Sequence, residues 1–119
     1  MKDFRTLKVW QKGHLLTLKV YEATRKFAKE ELYSLTAQMR KSSSSIPTNI
    51  AEGCGRGGDV EFAPFLQIAM GSASELEYDL ILARDLHYLN LDEYEVLNED
   101  TVEVKRMLSP FIRKLKADR

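Results

Sequence analysis

Apolar residues recur at helical spacing along almost the whole chain. From Thr6 to Phe27 one row reads Val9, Leu16, Val20, Ala23 and Phe27, with Leu7, Trp10, Leu18 and Tyr21 forming a second row beside it. One row suffices for a bundle core, so the second predicts further packing, with another subunit as its natural partner. Arg5, Lys8, Lys12, Lys19 and Lys26 occupy the opposite side.

A second helix is predicted from Ser34, whose hydroxyl suits an N-cap, to about Gly53. Leu35, Met39, Ile46 and Ile50 form its apolar row, and Gln38, Ser42, Ser45, Asn49 and Glu52 form a continuous polar ladder alongside. The four consecutive serines therefore belong to a helix rather than a loop, and their small side chains would let a neighbouring helix approach closely. Pro47 falls inside that helix. It removes the amide that would bond the Ser43 carbonyl and predicts a kink, leaving a carbonyl that needs a hydroxyl or a water.

Gly53, Gly55, Gly57 and Gly58 predict a helix end and a flexible connection, with Asp59 as the cap of a third helix and Glu61 in its first turn. That helix, roughly Val60 to Tyr88, carries Leu66, Ala69, Ala73, Leu76, Leu80 and Ala83 on one row. Phe65, Ile68, Ser72, Glu75, Asp79, Leu82 and Leu86 form a second row with a polar middle. The small polar centres of the second and third helices are expected to meet. Asp92 and Glu95 stand at capping-box spacing for a fourth helix, with Tyr94, Leu97, Thr101, Val104, Leu108, Phe111 and Leu115 as its core row and a bend expected at Pro110. The pattern as a whole predicts an all-α, antiparallel up-down four-helix bundle, kinked at Pro47, built as a single domain over residues 1–119.

Composition narrows this picture without redirecting it. The chain has 119 residues, of which 44% are hydrophobic and 30% charged, so a packed core is within reach and disorder is not expected. Cys54 is the only cysteine, which rules out an internal disulfide and a cysteine-rich zinc site and fits a cytoplasmic setting. No apolar run approaches a membrane span, so no membrane association is expected. The net charge is zero but unevenly spread: residues 1–58 hold 11 Lys and Arg against 5 Asp and Glu, and residues 59–119 hold 7 against 13. Halves of opposite sign mark either a nucleic-acid surface or two faces of a bundle that meet.

The residues offer little catalytic chemistry. The glycine-rich stretch lacks a preceding strand and a Gly-Lys-Ser/Thr ending, and Asp59 would put a carboxylate where a phosphate should lie, so nucleotide binding is not expected. Glu52, Glu75 and Asp79 with His14 or His87 would be the raw material of a di-iron site, but Gln11 and Arg84 stand where Glu-x-x-His needs a glutamate. Glu52 and Glu75 are expected to hydrogen-bond across helices with Asn49 and Ser72 instead. No enzyme activity, cofactor, metal or small-molecule substrate is therefore expected. Lys12, Lys19 and Lys26 repeat every seventh residue, and Arg40, Lys41 and Arg56 bracket the second helix. These six are the candidate phosphate contacts.

Four segments, "LKVWQKG" at 7–13, "LTAQMRKSSSSIPTNIAEG" at 35–53, "FLQIAMGSASELEYDL" at 65–80 and "MLSPFIRKLK" at 107–116, resemble the four-helix bundle family associated with intervening sequences of bacterial 23S ribosomal RNA genes. More distantly they are similar to accessory proteins of diversity-generating retroelements. The resemblance implies a small bacterial cytoplasmic protein that assembles into a ring, a pentamer, with RNA or another nucleic acid as the expected ligand. The alternative is a structural or protein-interaction ring without a nucleic-acid partner. If Gln38, Ser45, Asn49, Glu52, Ser72 and Glu75 join in one hydrogen-bonded network, the family's signature positions record close packing of helices and not a catalytic site.

Overall fold

A computed structural model describes residues 3–117. Four helices make up the described chain: α1 (Lys8–Thr24), α2 (Leu35–Cys54), α3 (Asp59–Asp85) and α4 (Leu91–Ala117). Short 3₁₀ turns precede α1 at Phe4–Thr6 and α2 at Lys29–Glu31. No strand occurs among the described residues.

The apolar rows become the core. Leu16, Val20, Met39, Ile50, Leu66 and Leu108 are each almost wholly withdrawn from water, and each such side chain contributes roughly 1.5–3 kcal/mol by leaving it. Cross-helix pairs run in opposite sequence order along neighbouring helices, as consecutive antiparallel helices require. Thr17 meets Ser43, whereas Thr24 meets Arg40. Ser42 meets Asp79 and Ser45 meets Ser72. Phe62 meets Phe111 and Glu77 meets Lys105. The longest dimension is 46 Å, close to the length of the 27-residue helices α3 and α4 at about 1.5 Å per residue.

Ser34 caps α2 as predicted. Its hydroxyl accepts from the Leu35 amide at 2.6 Å and donates to the Glu31 carboxylate at 2.6 Å. The serine run is helical because its hydroxyls are satisfied locally: Ser43 and Ser44 donate to the carbonyls three residues earlier, at 3.1 and 3.3 Å. At Pro47 the carbonyl orphaned on Ser43 finds its partner in α1. The Thr17 hydroxyl lies 3.0 Å from it and 2.8 Å from the Gly13 carbonyl, one proton serving two acceptors. Gly13 allows this approach, since a Cβ there would stand 3.1 Å from Ile46 Cγ2 and 3.6 Å from Pro47 Cδ.

Three local expectations are corrected. The first helix is shorter than predicted: Asp3 caps a separate 3₁₀ turn, which places the Phe4 ring edge-on to Trp10 at 5.0 Å, and Phe27 lies beyond the helix, stacked on Tyr88 at 5.2 Å. The residue capping α3 is Gly58, and Asp59 is already inside the first turn. The capping box of α4 is Asn90 with Glu93, not Asp92 with Glu95: the Glu93 amide donates to Asn90 Oδ1 at 2.8 Å, and the Asn90 amide donates to Glu93 Oε1 at 3.0 Å.

Candidate functional site

The lysine row of α1 and the polar ladder of α2 fall on different seams of the bundle. The α1 lysines turn toward α4. The seven-residue interval of Lys12, Lys19 and Lys26 is matched on α4 by Glu93 and Asp100, also seven apart. Lys12 stands 3.2 Å from Asp100 Oδ1, Lys19 stands 2.7 Å from Asp100 Oδ2, and Lys26 pairs with Glu93. Burial alone would raise the Asp100 carboxyl, but the bonds from Lys19 and Lys12 outweigh it and hold the group below its usual range. Glu93 is lowered by its bond to Lys26 and then by the Asn90 amide.

Arg40 is half-buried. Its Nε donates to the Thr24 hydroxyl at 2.9 Å, and its guanidinium lies 4.8 Å from the centre of the Tyr21 ring. Arg56 pairs with Glu52 at 2.7 Å and covers Phe65 at 4.9 Å. Five of the six candidate phosphate contacts are thus engaged within the chain, and Lys41 is exposed on α2.

The polar ladder faces α3. Ser45 and Ser72 share a hydrogen bond of 2.8 Å between their hydroxyls. Asn49 Nδ2 donates to the Ser45 hydroxyl at 2.9 Å and to the Ser45 carbonyl at 2.8 Å. Of the six residues expected to form one network, these three are brought together. Glu52 turns instead to Arg56, four residues on in the turn that follows α2, at 2.7 Å. Gln38 and Glu75 are exposed.

The most buried ionisable group of the seam lies outside those six. Asp79 is 1% exposed and accepts from the Ser42 hydroxyl at 3.3 Å. Burial pushes its carboxyl up to about 6, with the Ser42 bond opposing and the Glu75 charge adding to the rise. The spacing carries a signal for it, since Ser42 and Asp79 sit on the two polar rows predicted to meet.

Folding also re-sorts the charge. Cutting each helix at its middle gives one bundle end from residues 3–15, 46–71 and 105–117, with nine Lys and Arg against four Asp and Glu. The other end, residues 16–45 and 72–104, holds seven against thirteen. His14 stacks on Trp10 at 5.1 Å, and His87 occupies the left-handed turn after α3 at φ 66°. Among the described residues no three His, Cys, Asp or Glu side chains stand together as a metal set, and no helix is long and apolar enough to cross a membrane.

These features define a four-helix bundle with a hydrogen-bonded polar seam on one side, an ion-paired seam on another and ends of opposite charge. Residues 5–110 match the model of the 23S rRNA-intervening sequence protein family, and the chain belongs to that family. It is similar to a crystal structure of a protein of unknown function from the S23 ribosomal protein family of Bacteroides thetaiotaomicron VPI-5482, at 26% identity and a TM-score of 0.78. That match covers 87% of this chain and 97% of the other. No curated protein matches it.

Proposed function

We propose that the protein is a non-enzymatic scaffold that assembles into a homo-oligomeric ring, a pentamer, and carries RNA. The observation that supports assembly most directly is the apolar stripe left on α1. Leu7 and Trp10 of the predicted second row are half-buried against the core, but Leu15, Leu18 and Tyr21 are 55%, 52% and 41% exposed at steps of three. A second copy covering this stripe would remove it from water. The pentamer and the RNA rest on the family resemblance. Light scattering tests the assembly: the wild type should give a multiple of 13.7 kDa, and Leu15→Glu with Leu18→Glu should give a helical monomer. A monomeric wild type would contradict it.

A second reading, a protein-interaction ring without nucleic acid, draws on the engagement of five of the six candidate cations within the chain. Retention of RNA by the purified protein at low salt separates the two. RNA binding should weaken with salt at a log-log slope of roughly −0.7 per phosphate neutralised on a single strand, and no retention would leave the second reading standing.

A further inference from the structure

We infer that RNA is held not by the lysine row of α1 but by the basic end of the bundle, on the outer face of the last turns of α4 together with Lys8; this rests on the RNA reading above. The charge at that end is not cancelled locally. Among its nine cations, Arg5 pairs with Asp3, Lys12 with Asp100, Arg56 with Glu52 and Lys105 with Glu77. Lys8, Arg106, Arg113, Lys114 and Lys116 form no ion pair among the described residues, and all five are exposed.

Arg106, Arg113 and Lys114 lie at i, i+7 and i+8, so they share one stripe of α4. Upstream the same stripe carries Asp92, Glu99 and Glu103, so its sign reverses between residues 103 and 106. A polyanion lying along α4 is attracted to one half and repelled by the other, which fixes where it binds.

The ground between these cations favours nucleic acid over an acidic peptide. A shallow groove between the start of α1 and the end of α4 is floored by Leu7, Met107 and Phe111 and edged by Lys8 and Lys114. An apolar floor beside two cations suits an unstacked base with a phosphate on either side, as single-strand binders use. The groove beside the α1 row is also floored by apolar groups, Ala23, Val96 and Leu97, but its rim carries Glu22, Asp92 and Glu93 beside Lys19. A phosphate arriving there would meet carboxylates and have to displace Asp100 or Glu93 from the lysines.

The experiment measures anisotropy of a labelled single-stranded RNA of mixed sequence against salt, for the wild type, Arg113→Glu with Lys114→Glu, and Lys12→Gln with Lys19→Gln, each checked for helicity by circular dichroism. The α4 pair should weaken binding at least about tenfold and flatten the salt slope by roughly 0.7 for each phosphate that is no longer neutralised. The α1 pair should bind like the wild type. Wild-type binding that resists the α4 reversal but fails in the α1 pair would overturn this assignment while keeping the RNA reading. No binding by the wild type would overturn both, and equal binding of polyglutamate would overturn the assignment to nucleic acid.

Discussion

The α2–α3 seam and the α1–α4 seam are both polar along much of their length, yet they are built from opposite kinds of group. Between α2 and α3 the bonded side chains are small and mostly uncharged: Ser45, Ser72 and Asn49 bond to one another, and Asp79 is a buried carboxyl with its proton affinity raised. Between α1 and α4 the groups are long and charged, and both carboxyls, Glu93 and Asp100, are lowered by lysines. Short side chains let backbones close and hold their bonds half-buried between the helices, so each bond there is harder to replace than one at the rim. Long side chains reach around the rim of a core already sealed, and water competes for every pair. The first seam should therefore respond strongly to substitution and the second weakly.

The largest effect is expected at Gly53, where α2 lies in close contact with α3. A Cβ on Gly53 would stand 2.6 Å from Phe65 Cβ and 2.8 Å from Phe62 Cδ1, so Gly53→Val must push the helices apart. The expected loss is about 3 kcal/mol, read from urea unfolding. The exposed Gly71 on α3 has nothing within 4 Å of such a Cβ; Gly71→Ala should stabilise by about 0.5–1 kcal/mol through helix propensity alone. Equal responses at the two glycines would dissolve the close approach.

Next comes Asp79, whose titration has the opposite sign to that of the α1–α4 carboxyls. Burial raises this carboxyl from the ordinary 3.8 of an unfolded aspartate to about 6, so the folded state holds the extra proton between those values. The stability this group allows is fully present below the unfolded value and is lost as pH rises through the folded one, by about 2–3 kcal/mol in all. Asp79→Asn cannot ionise, so unfolding free energies followed with pH should diverge from the wild type across that window, the variant gaining as pH rises. Parallel curves would show that Asp79 is not held in its protonated form.

Thr17→Val comes third. It keeps the shape of the side chain but strips the hydroxyl from the Ser43 carbonyl opposite Pro47, and should cost about 1–2 kcal/mol in thermal or urea unfolding. A neutral result would mean that the carbonyl has another partner.

The smallest effect belongs to the ion pairs. Lys19→Met should change stability by less than about 1 kcal/mol, because the lysine is half exposed and high salt already screens the pair. Asp100 contributes stability above its unfolded value and loses it as pH falls through the lowered folded one. A loss comparable to that at Gly53 would erase the contrast between the seams.

Most of the fold is legible in the sequence because burial has a period. The apolar row of α2 and the first of the two rows of α3 are buried residue for residue, whereas Ile68 and Leu86 of the second row of α3 are exposed. The serine run is helical, since a 4, 3, 4, 3 ladder has only one regular interpretation. What spacing cannot convey is what a neighbouring helix places opposite. The lysine row of α1 reads as a free cationic face until α4 sets Glu93 and Asp100 against it, and the partner of the Ser43 carbonyl lies 26 residues away. The capping box of α4 is ambiguous in the sequence because Asn90 and Asp92 both precede a glutamate by three residues, and only the reciprocal bonds of Asn90 and Glu93 decide between them. Charge sorted along the sequence says little about charge sorted in space: the halves of opposite sign interleave, and the ends of the bundle inherit the difference.

A double-mutant cycle on Ser45→Ala and Ser72→Ala probes the scaffold most directly, because the two hydroxyls meet 2.8 Å apart across α2 and α3. Losses that fail to add by about 1 kcal/mol are predicted if the seam is internal structure. Additivity within about 0.3 kcal/mol would contradict it and return these serines to the pool of residues open to a ligand.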